Sequence, residues 1–298
     1  MTARIHRHGR NRLVALVGLS AIALGAGLPA GSLLAGSDDG TDGTVVVDSP
    51  GDQANTITLP PDAAVGQTAS WTMGMNMEMS VSGVGDAVTV PVALEMDTIQ
   101  SVTEVIPEGG YVEMLSIDRV EITDAPEGAD PATFPCGSVN GLELEETFNA
   151  AGATVSVEPV SDDLTDAEQE CVASFTDSTS TVALVYPAEP VGVGAEWSSN
   201  VNVDSQGITI PVTYHYTLTD SGDDGTYSVE VTFDADIDGD IEGAEATGTM
   251  TGSGTFTGDI DNPLVVNGTV AQTIDMTIDD DGEQADMSID ITIDIDSD

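Results

Sequence analysis

Apolar and polar residues alternate along most of the chain, which is the pattern of β-strands with one buried and one exposed face. Tyr227–Ile237 places tyrosine, valine, phenylalanine, alanine and isoleucine on one face, and Met287–Ile295 alternates methionine and isoleucine with serine, aspartate and threonine. Glycine, aspartate and proline turns separate such segments from Ile57 onward. The pattern predicts an all-β fold built as a curved antiparallel sheet, a half-barrel or a sandwich.

One segment departs from this alternation and predicts a short helix. Thr165 is followed three residues later by Glu168, which is the spacing of a capping box. An apolar stripe at helical spacing follows, before a strand-like segment at 176–185. The helix would place Cys171 on its buried side. The stripe consists of Ala167, Cys171, Val172 and Phe175.

The chain also contains an internal repeat. Val65–Trp71 reads Val-Gly-Gln-Thr-Ala-Ser-Trp and Val191–Trp197 reads Val-Gly-Val-Gly-Ala-Glu-Trp, and these segments hold the chain's two tryptophans. Each follows a proline-containing stretch and precedes an apolar-Pro-Val strand. A period of about 126 residues is too long for a solenoid, so we predict two homologous halves in one β-rich domain. The predicted domain covers 57–298, with halves at 57–160 and 183–298 and a helical connection at 161–182.

The second copy of the repeat carries a family resemblance. Tyr186–Trp197 reads Tyr-Pro-Ala-Glu-Pro-Val-Gly-Val-Gly-Ala-Glu-Trp. With a short helix and a hairpin before it, this segment resembles an uncharacterised family of exported proteins and lipoproteins of high-GC Gram-positive bacteria. The resemblance extends over about residues 57–275 and implies export and a β-rich fold, without catalytic residues to transfer. More loosely, strands around one short helix resemble the half-barrel envelope carriers for lipoproteins and lipids, a likeness of fold alone.

The N-terminal region has the layout of a secretory signal peptide over residues 1–36. Four arginines precede an uncharged run, Leu13–Leu28, and small residues follow it. A retained membrane anchor is the alternative, because residues 13–36 carry no charge and are long enough to span a bilayer, but their five glycines and one proline favour cleavage. With no cysteine near the cleavage region we expect no lipid anchor. Residues 37–55 lack periodicity and predict a disordered acidic linker.

The strongly negative net charge of the chain excludes two classes of binding partner. Arg119 is the one lysine or arginine beyond residue 36, against 53 acidic residues, so residues 37–298 carry a formal net charge of −52 with histidine neutral. Binding to nucleic acid or to an anionic membrane surface depends on lysine and arginine, so we exclude both as partners. Such a chain favours cations, basic partners or a saline exterior, and we expect it to act outside the cell or in the cell envelope.

The two cysteines predict a disulfide rather than a catalytic or metal site. Cys136 and Cys171 form the only possible pair in a chain that we expect to be exported. No histidine lies near either thiol, and His215 lies within an alternating strand pattern. There is no Gly-x-Ser-x-Gly motif, and no pair of carboxylates is distinguished from the many others. We therefore predict that the protein is not an enzyme.

One acidic segment has the spacing of a calcium-binding loop. Asp234–Glu245 places acidic residues at positions 1, 3, 5, 9 and 12 and glycine at position 6. A strand pattern precedes it and Thr-Gly repeats follow, whereas that loop needs two flanking helices, so a hairpin turning at Gly239–Gly243 is favoured. Calcium is the one cofactor that the sequence leaves open. The candidate ligands are Asp234, Asp236, Asp238, Asp240, Glu242 and Glu245.

A methionine stripe is the remaining candidate site. Met73, Met75, Met77 and Met79 alternate with polar residues, so a strand places them and Trp71 on one face. Core packing, an adaptable wall for an apolar ligand, and copper(I) capture by thioethers all fit this stripe. We expect a non-catalytic exported protein that binds a hydrophobic small molecule or lipid on a concave apolar face. The alternative is an acidic surface or matrix protein that acts through calcium or basic partners.

Overall fold

The fold is described from a computed structural model. It covers residues 45–59, 62–83, 87–107, 109–126, 136–137, 139–161, 163–169, 171–172, 184–205, 208–241, 243–280 and 282–298. The predicted signal peptide, the first part of the predicted linker, Phe175 and most of the strand-like segment at 176–185 lie outside these ranges.

These ranges contain fourteen strands and one short helix, α1, at residues 166–169 and 171–172. The predicted all-β fold class is confirmed. The strands are β1 (Val46–Pro50), β2 (Thr56–Ile57), β3 (Thr68–Ser82), β4 (Val88–Val105), β5 (Tyr111–Asp124), β6 (Leu142–Phe148), β7 (Thr154–Pro159), β8 (Val191–Gly192), β9 (Ala195–Ser205), β10 (Ile208–Ser221), β11 (Thr226–Ile241), β12 (Ala244–Asp259), β13 (Asn262–Asp280) and β14 (Glu283–Ser297).

Twelve strands form one antiparallel sheet in the order β1-β9-β10-β11-β12-β13-β14-β3-β4-β5-β6-β7, and β2 pairs with β8 separately. Within β3–β7 and within β9–β14, each strand pairs with its neighbour in sequence. The last strand, β14, then pairs with β3 and joins the two series, while β1 and β7 form the edges. The sheet is therefore open, as predicted for a curved antiparallel sheet.

One face of this sheet is buried along nearly its whole width, and we call it the interior face. Alternate residues of each long strand have almost no exposed surface. Tyr186 donates its backbone N–H to Ala151 in the β6–β7 turn (2.9 Å), and its hydroxyl lies 2.7 Å from that of Tyr227 in β11, although β7 and β11 are not neighbours in the sheet. The sheet thus curls until distant strands pack across the interior.

The two tryptophans lie at corresponding places in the two series of strands. Trp71 is in β3 and Trp197 in β9, the first strand of each series, and each indole N–H donates to a backbone carbonyl, of Leu264 (2.6 Å) and Val185 (2.8 Å). Both side chains are buried. These shared features support the repeat, which stays a prediction.

Glycines on β12 and β13 let three aromatic rings pack closely. Each ring lies on the interior face directly opposite a glycine of the neighbouring strand, and a Cβ added there would overlap the ring. The Thr-Gly alternation of β12 therefore has a packing role, with threonine outside and glycine under the rings. The pairs are Tyr227 with Gly258, Phe233 with Gly252, and Phe256 with Gly268.

The helix and the disulfide are formed as predicted. The Thr165 backbone N–H donates to the Glu168 carboxylate (2.7 Å), and the Glu168 N–H donates to the Thr165 hydroxyl (3.3 Å), which completes the capping box. Cys136 and Cys171 are joined at 2.03 Å. The bridge ties the β5–β6 connection to α1 across a sequence separation of 35, and loop closure of that length stabilises a fold by roughly 3–4 kcal/mol.

The predicted disordered linker is wrong for the part that the structure describes. Val46–Pro50 forms β1 and pairs with β9 at the edge of the sheet. An edge strand needs partners on one side only, so the absence of an apolar alternation did not prevent it from forming. Local composition could not reveal a partner about 150 residues away in the sequence.

Candidate functional site

The predicted methionine stripe lies on the interior face at the centre of the sheet. Trp71, Met73, Met75, Met77 and Met79 are all buried along β3. Isoleucines of β14 lie directly opposite the methionines on one side, and residues of β4 lie opposite them on the other. Strand alternation predicted the shared face correctly, and the sheet order adds the neighbours.

The stripe belongs to a larger methionine surface, which we call the methionine wall. Four further methionines are buried on the same face of β4, β12, β13 and β14, so the wall crosses five adjacent strands. Met73 lies opposite Met96, and Met276 opposite Met287. The wall consists of Met73, Met75, Met77, Met79, Met96, Met250, Met276 and Met287.

A buried polar cluster adjoins the wall on β4, β5 and β6, and sequence reasoning missed it. Glu113 of β5 lies directly opposite Glu146 of β6, and neither carboxyl group is exposed. Gln100 of β4 is likewise fully buried and lies on the same face, diagonal to Glu113. We call Glu113 and Glu146 the acid pair.

Burial and mutual repulsion set the electrostatics of the cluster. Burial raises the pKa of Glu113 well above its ordinary value, and the nearby Glu146 carboxylate raises it further. Burial also raises the pKa of Tyr111, and the charges of Glu113, Glu146 and Tyr227 add to that effect. The ionised form of Glu113 is thus less favourable in the folded protein than in water.

The sequence does contain a signal for this cluster. Glu113 occupies an inward position of the run Tyr111–Ile117, and Glu146 does so in Leu142–Phe148. A charged residue in phase with the apolar positions of a strand breaks the alternation, because the neighbouring inward residues are apolar. The excess of carboxylates elsewhere in the chain obscured these two.

The candidate calcium ligands lie in a hairpin, as the favoured interpretation predicted. Asp234, Asp236 and Asp238 are exposed on β11, and Glu245 is exposed on β12 opposite Asp240. Glu242 lies outside the described residues. The extended β11 does not wrap its carboxylates around a point as a calcium loop does. Across the described ranges, no group of three or more His, Cys, Asp or Glu side chains is arranged to hold a metal.

His215 is exposed on β10, where the alternation predicted a strand residue. Its cross-strand neighbours are Ser198 of β9 and Thr232 of β11.

The described part of the chain contains no helix with the length and apolarity required to cross a membrane.

Part of the chain matches a known protein family. Residues 172–263, which include β8 to β12, match a family described as "Family of unknown function (DUF6263)". This agrees with the resemblance to an uncharacterised family. No curated protein matches. A crystal structure of Pseudomonas aeruginosa OccK8 (OprE) is 6% identical and covers 79% of this chain and 99% of that chain, with a TM-score of 0.16, which is too low to indicate a shared fold.

Proposed function

We propose that this protein is a non-catalytic exported binding protein that holds a hydrophobic small molecule or lipid against the methionine wall. The observation that carries the proposal is the concentration of eight of the chain's ten methionines on one continuous interior surface. Methionine is flexible and polarizable, so such a surface adapts to apolar ligands of different shape.

Other features fit this role. The disulfide is typical of an oxidising compartment, in agreement with the basic and apolar N-terminal segment. The looser resemblance to half-barrel envelope carriers points to the same class of ligand. The family resemblance points to an exported protein of a high-GC Gram-positive bacterium. The open sheet also leaves the interior bounded at β1 and β7 by edges rather than by paired strands.

Substituting Met77 with tryptophan distinguishes a ligand-binding wall from a solid core. If the wall receives a ligand, the indole occupies ligand space, so Met77→Trp should leave the melting temperature nearly unchanged and weaken binding of an apolar fluorescent probe by roughly tenfold. If Met77 packs in a filled core, overpacking should cost about 1–3 kcal/mol of unfolding free energy. Met114→Trp is the matched control, because Met114 lies half-exposed on the other face of β5.

Native mass spectrometry of the purified protein supplies the second readout. A co-purifying apolar molecule that is lost in Met77→Trp but kept in Met114→Trp would support the proposal. Absence of any saturable probe binding, together with a destabilised Met77→Trp, would reject it.

A second candidate function, an acidic surface protein acting through cations, rests on the outer face of the sheet. Asp286, Asp290 and Asp294 of β14 each accept a hydrogen bond from a threonine of β13. A groove of about 400 Å³ on this side includes Asp275 and Asp286 in its lining. Carboxylates at this density attract cations.

Salt should therefore stabilise the protein through specific carboxylates. Asp290 lies directly opposite Glu78, a like charge, whereas Asp294 lies opposite Gly74. Asp290→Asn keeps an acceptor for Thr273 but removes the repulsion, so it should raise the melting temperature in low salt more than Asp294→Asn does. Measurements in sodium chloride and in calcium chloride at equal ionic strength separate screening from calcium binding. Identical curves for the two variants and the two salts would reject this candidate.

A further inference from the structure

The cluster beside the methionine wall contains polar atoms that no residue of the described ranges satisfies. Within those ranges, both carboxylate oxygens of Glu113 and both amide atoms of Gln100 are buried without a hydrogen-bond partner. Buried polar groups in folded proteins are nearly always paired, because an unpaired one loses its hydration without compensation. Four such atoms on two adjacent strands need an explanation beyond core packing.

The cluster is continuous with the proposed binding surface. Gln100 and the wall residue Met96 both lie on the interior face of β4, four positions apart. Glu113 is on the next strand and faces Glu146 on the one after. A molecule lying along the wall therefore reaches the cluster with one end.

The chemistry of the cluster determines which functional group of a ligand can bind there. Burial makes the ionised form of Glu113 costly, and a cation bound beside it offsets that cost. The acid pair then supplies carboxylate oxygens and negative charge, and Gln100 adds an amide oxygen. An anionic group would be repelled, and a hydroxyl would bring a single donor. A protonated primary amine brings three N–H donors and one positive charge, so it can satisfy several acceptors and offset a buried charge.

We propose that Gln100, Glu113 and Glu146 form the recognition site for the primary ammonium group of an apolar ligand whose hydrocarbon part lies on the methionine wall. This inference rests on the proposed function and specifies the ligand class for the same site.

A series of probes with one chain length tests the head group separately from the tail. Binding of n-decylamine, n-decanol, decanoate and decyltrimethylammonium is measured by calorimetry and native mass spectrometry, below the concentration at which each aggregates. Decylamine should bind roughly tenfold or more tightly than decanol. Decyltrimethylammonium carries the same charge as decylamine but no N–H donor, so it reports any non-specific attraction to the acidic surface.

Two charge-removing variants locate the effect. Glu113→Gln should remove most of the preference for decylamine over decanol. Glu143→Gln, which removes one carboxylate from the exposed face of β6, should bind all four probes as the parent protein does. Melting temperatures confirm that both variants fold.

The outcomes separate this inference from the proposed function. Equal binding of decylamine and decanol, or of decylamine and decyltrimethylammonium, would overturn the ammonium site while leaving an apolar binding protein. A decylamine preference that survives Glu113→Gln would overturn it as well. If none of the probes binds, the proposed function fails together with the site.

Discussion

Gly252→Ala is expected to lower the free energy of unfolding by about 1–3 kcal/mol or more, because the added methyl group has no space. Gly252 lies directly opposite Phe233, and its Cβ would overlap the Cζ atom of that ring. The ring cannot move away easily, since Phe233 is buried and packs against Tyr214 at a centroid distance of 5.3 Å. Chemical denaturation of the purified variant measures the loss.

Gly74→Ala is the matched control for that prediction. Gly74 is also a strand glycine, in β3, but a Cβ added there would meet no heavy atom of the described residues within 4 Å. Alanine removes the conformational freedom of glycine in the unfolded chain, so this variant should be neutral or more stable by up to about 1 kcal/mol. Equal effects of the two substitutions would show that the ring does not rest on Gly252.

Glu113→Gln is expected to stabilise the folded protein at neutral and alkaline pH, by up to about 1.4 kcal/mol for each pH unit between the ordinary and the folded pKa of Glu113. The folded pKa of Glu113 lies above its ordinary value of 4.5, because burial and then Glu146 oppose ionisation. A raised acid pKa means that the folded state holds its proton more tightly. The stability from that proton is complete below about pH 4.5 and is lost as the pH rises toward the folded pKa.

The parent protein should therefore lose stability with rising pH more steeply than Glu113→Gln does. General repulsion among the many surface carboxylates has the same sign, so Glu143→Gln, on the exposed face of β6, serves as the reference for removing one charge. Glu168 has the opposite sign, because its hydrogen bonds with Thr165 lower its pKa and contribute stability that is lost in acid. The free energy of unfolding is measured between pH 4 and pH 9 for the parent protein, Glu113→Gln and Glu143→Gln, and its slopes against pH are compared. Parallel curves for Glu113→Gln and Glu143→Gln would contradict the burial of an ionisable carboxyl at Glu113.

Several local features of the fold follow from sequence alone, because each depends on residues close together in the chain. Alternation placed Met73 to Met79 on one face, since side chains of a strand point to opposite sides in turn. The capping box marked the start of α1 through contacts between Thr165 and Glu168. The disulfide followed from having two cysteines in a chain with the features of an exported protein.

The pairing of strands that are distant in the sequence could be known only from the tertiary structure. Pairing of β14 with β3 joins the last strand to the first half, and pairing of β1 with β9 orders a segment that composition alone made look disordered. Neither pairing leaves a signal within either segment, because a strand's partner is chosen by register and burial of the whole sheet.

The candidate site shows the same division. Inward positions of β5 and β6 could be read from their alternation, including the two that hold glutamate. Register between strands sets the contact of Glu113 with Glu146 and that of Phe233 with Gly252. It also places Gln100 beside the acid pair, where no described residue bonds to its side chain. Which residues face the interior follows from the two-residue period of each strand. Which of them meet depends on how the sheet is ordered and curled, and no segment of the chain records that order.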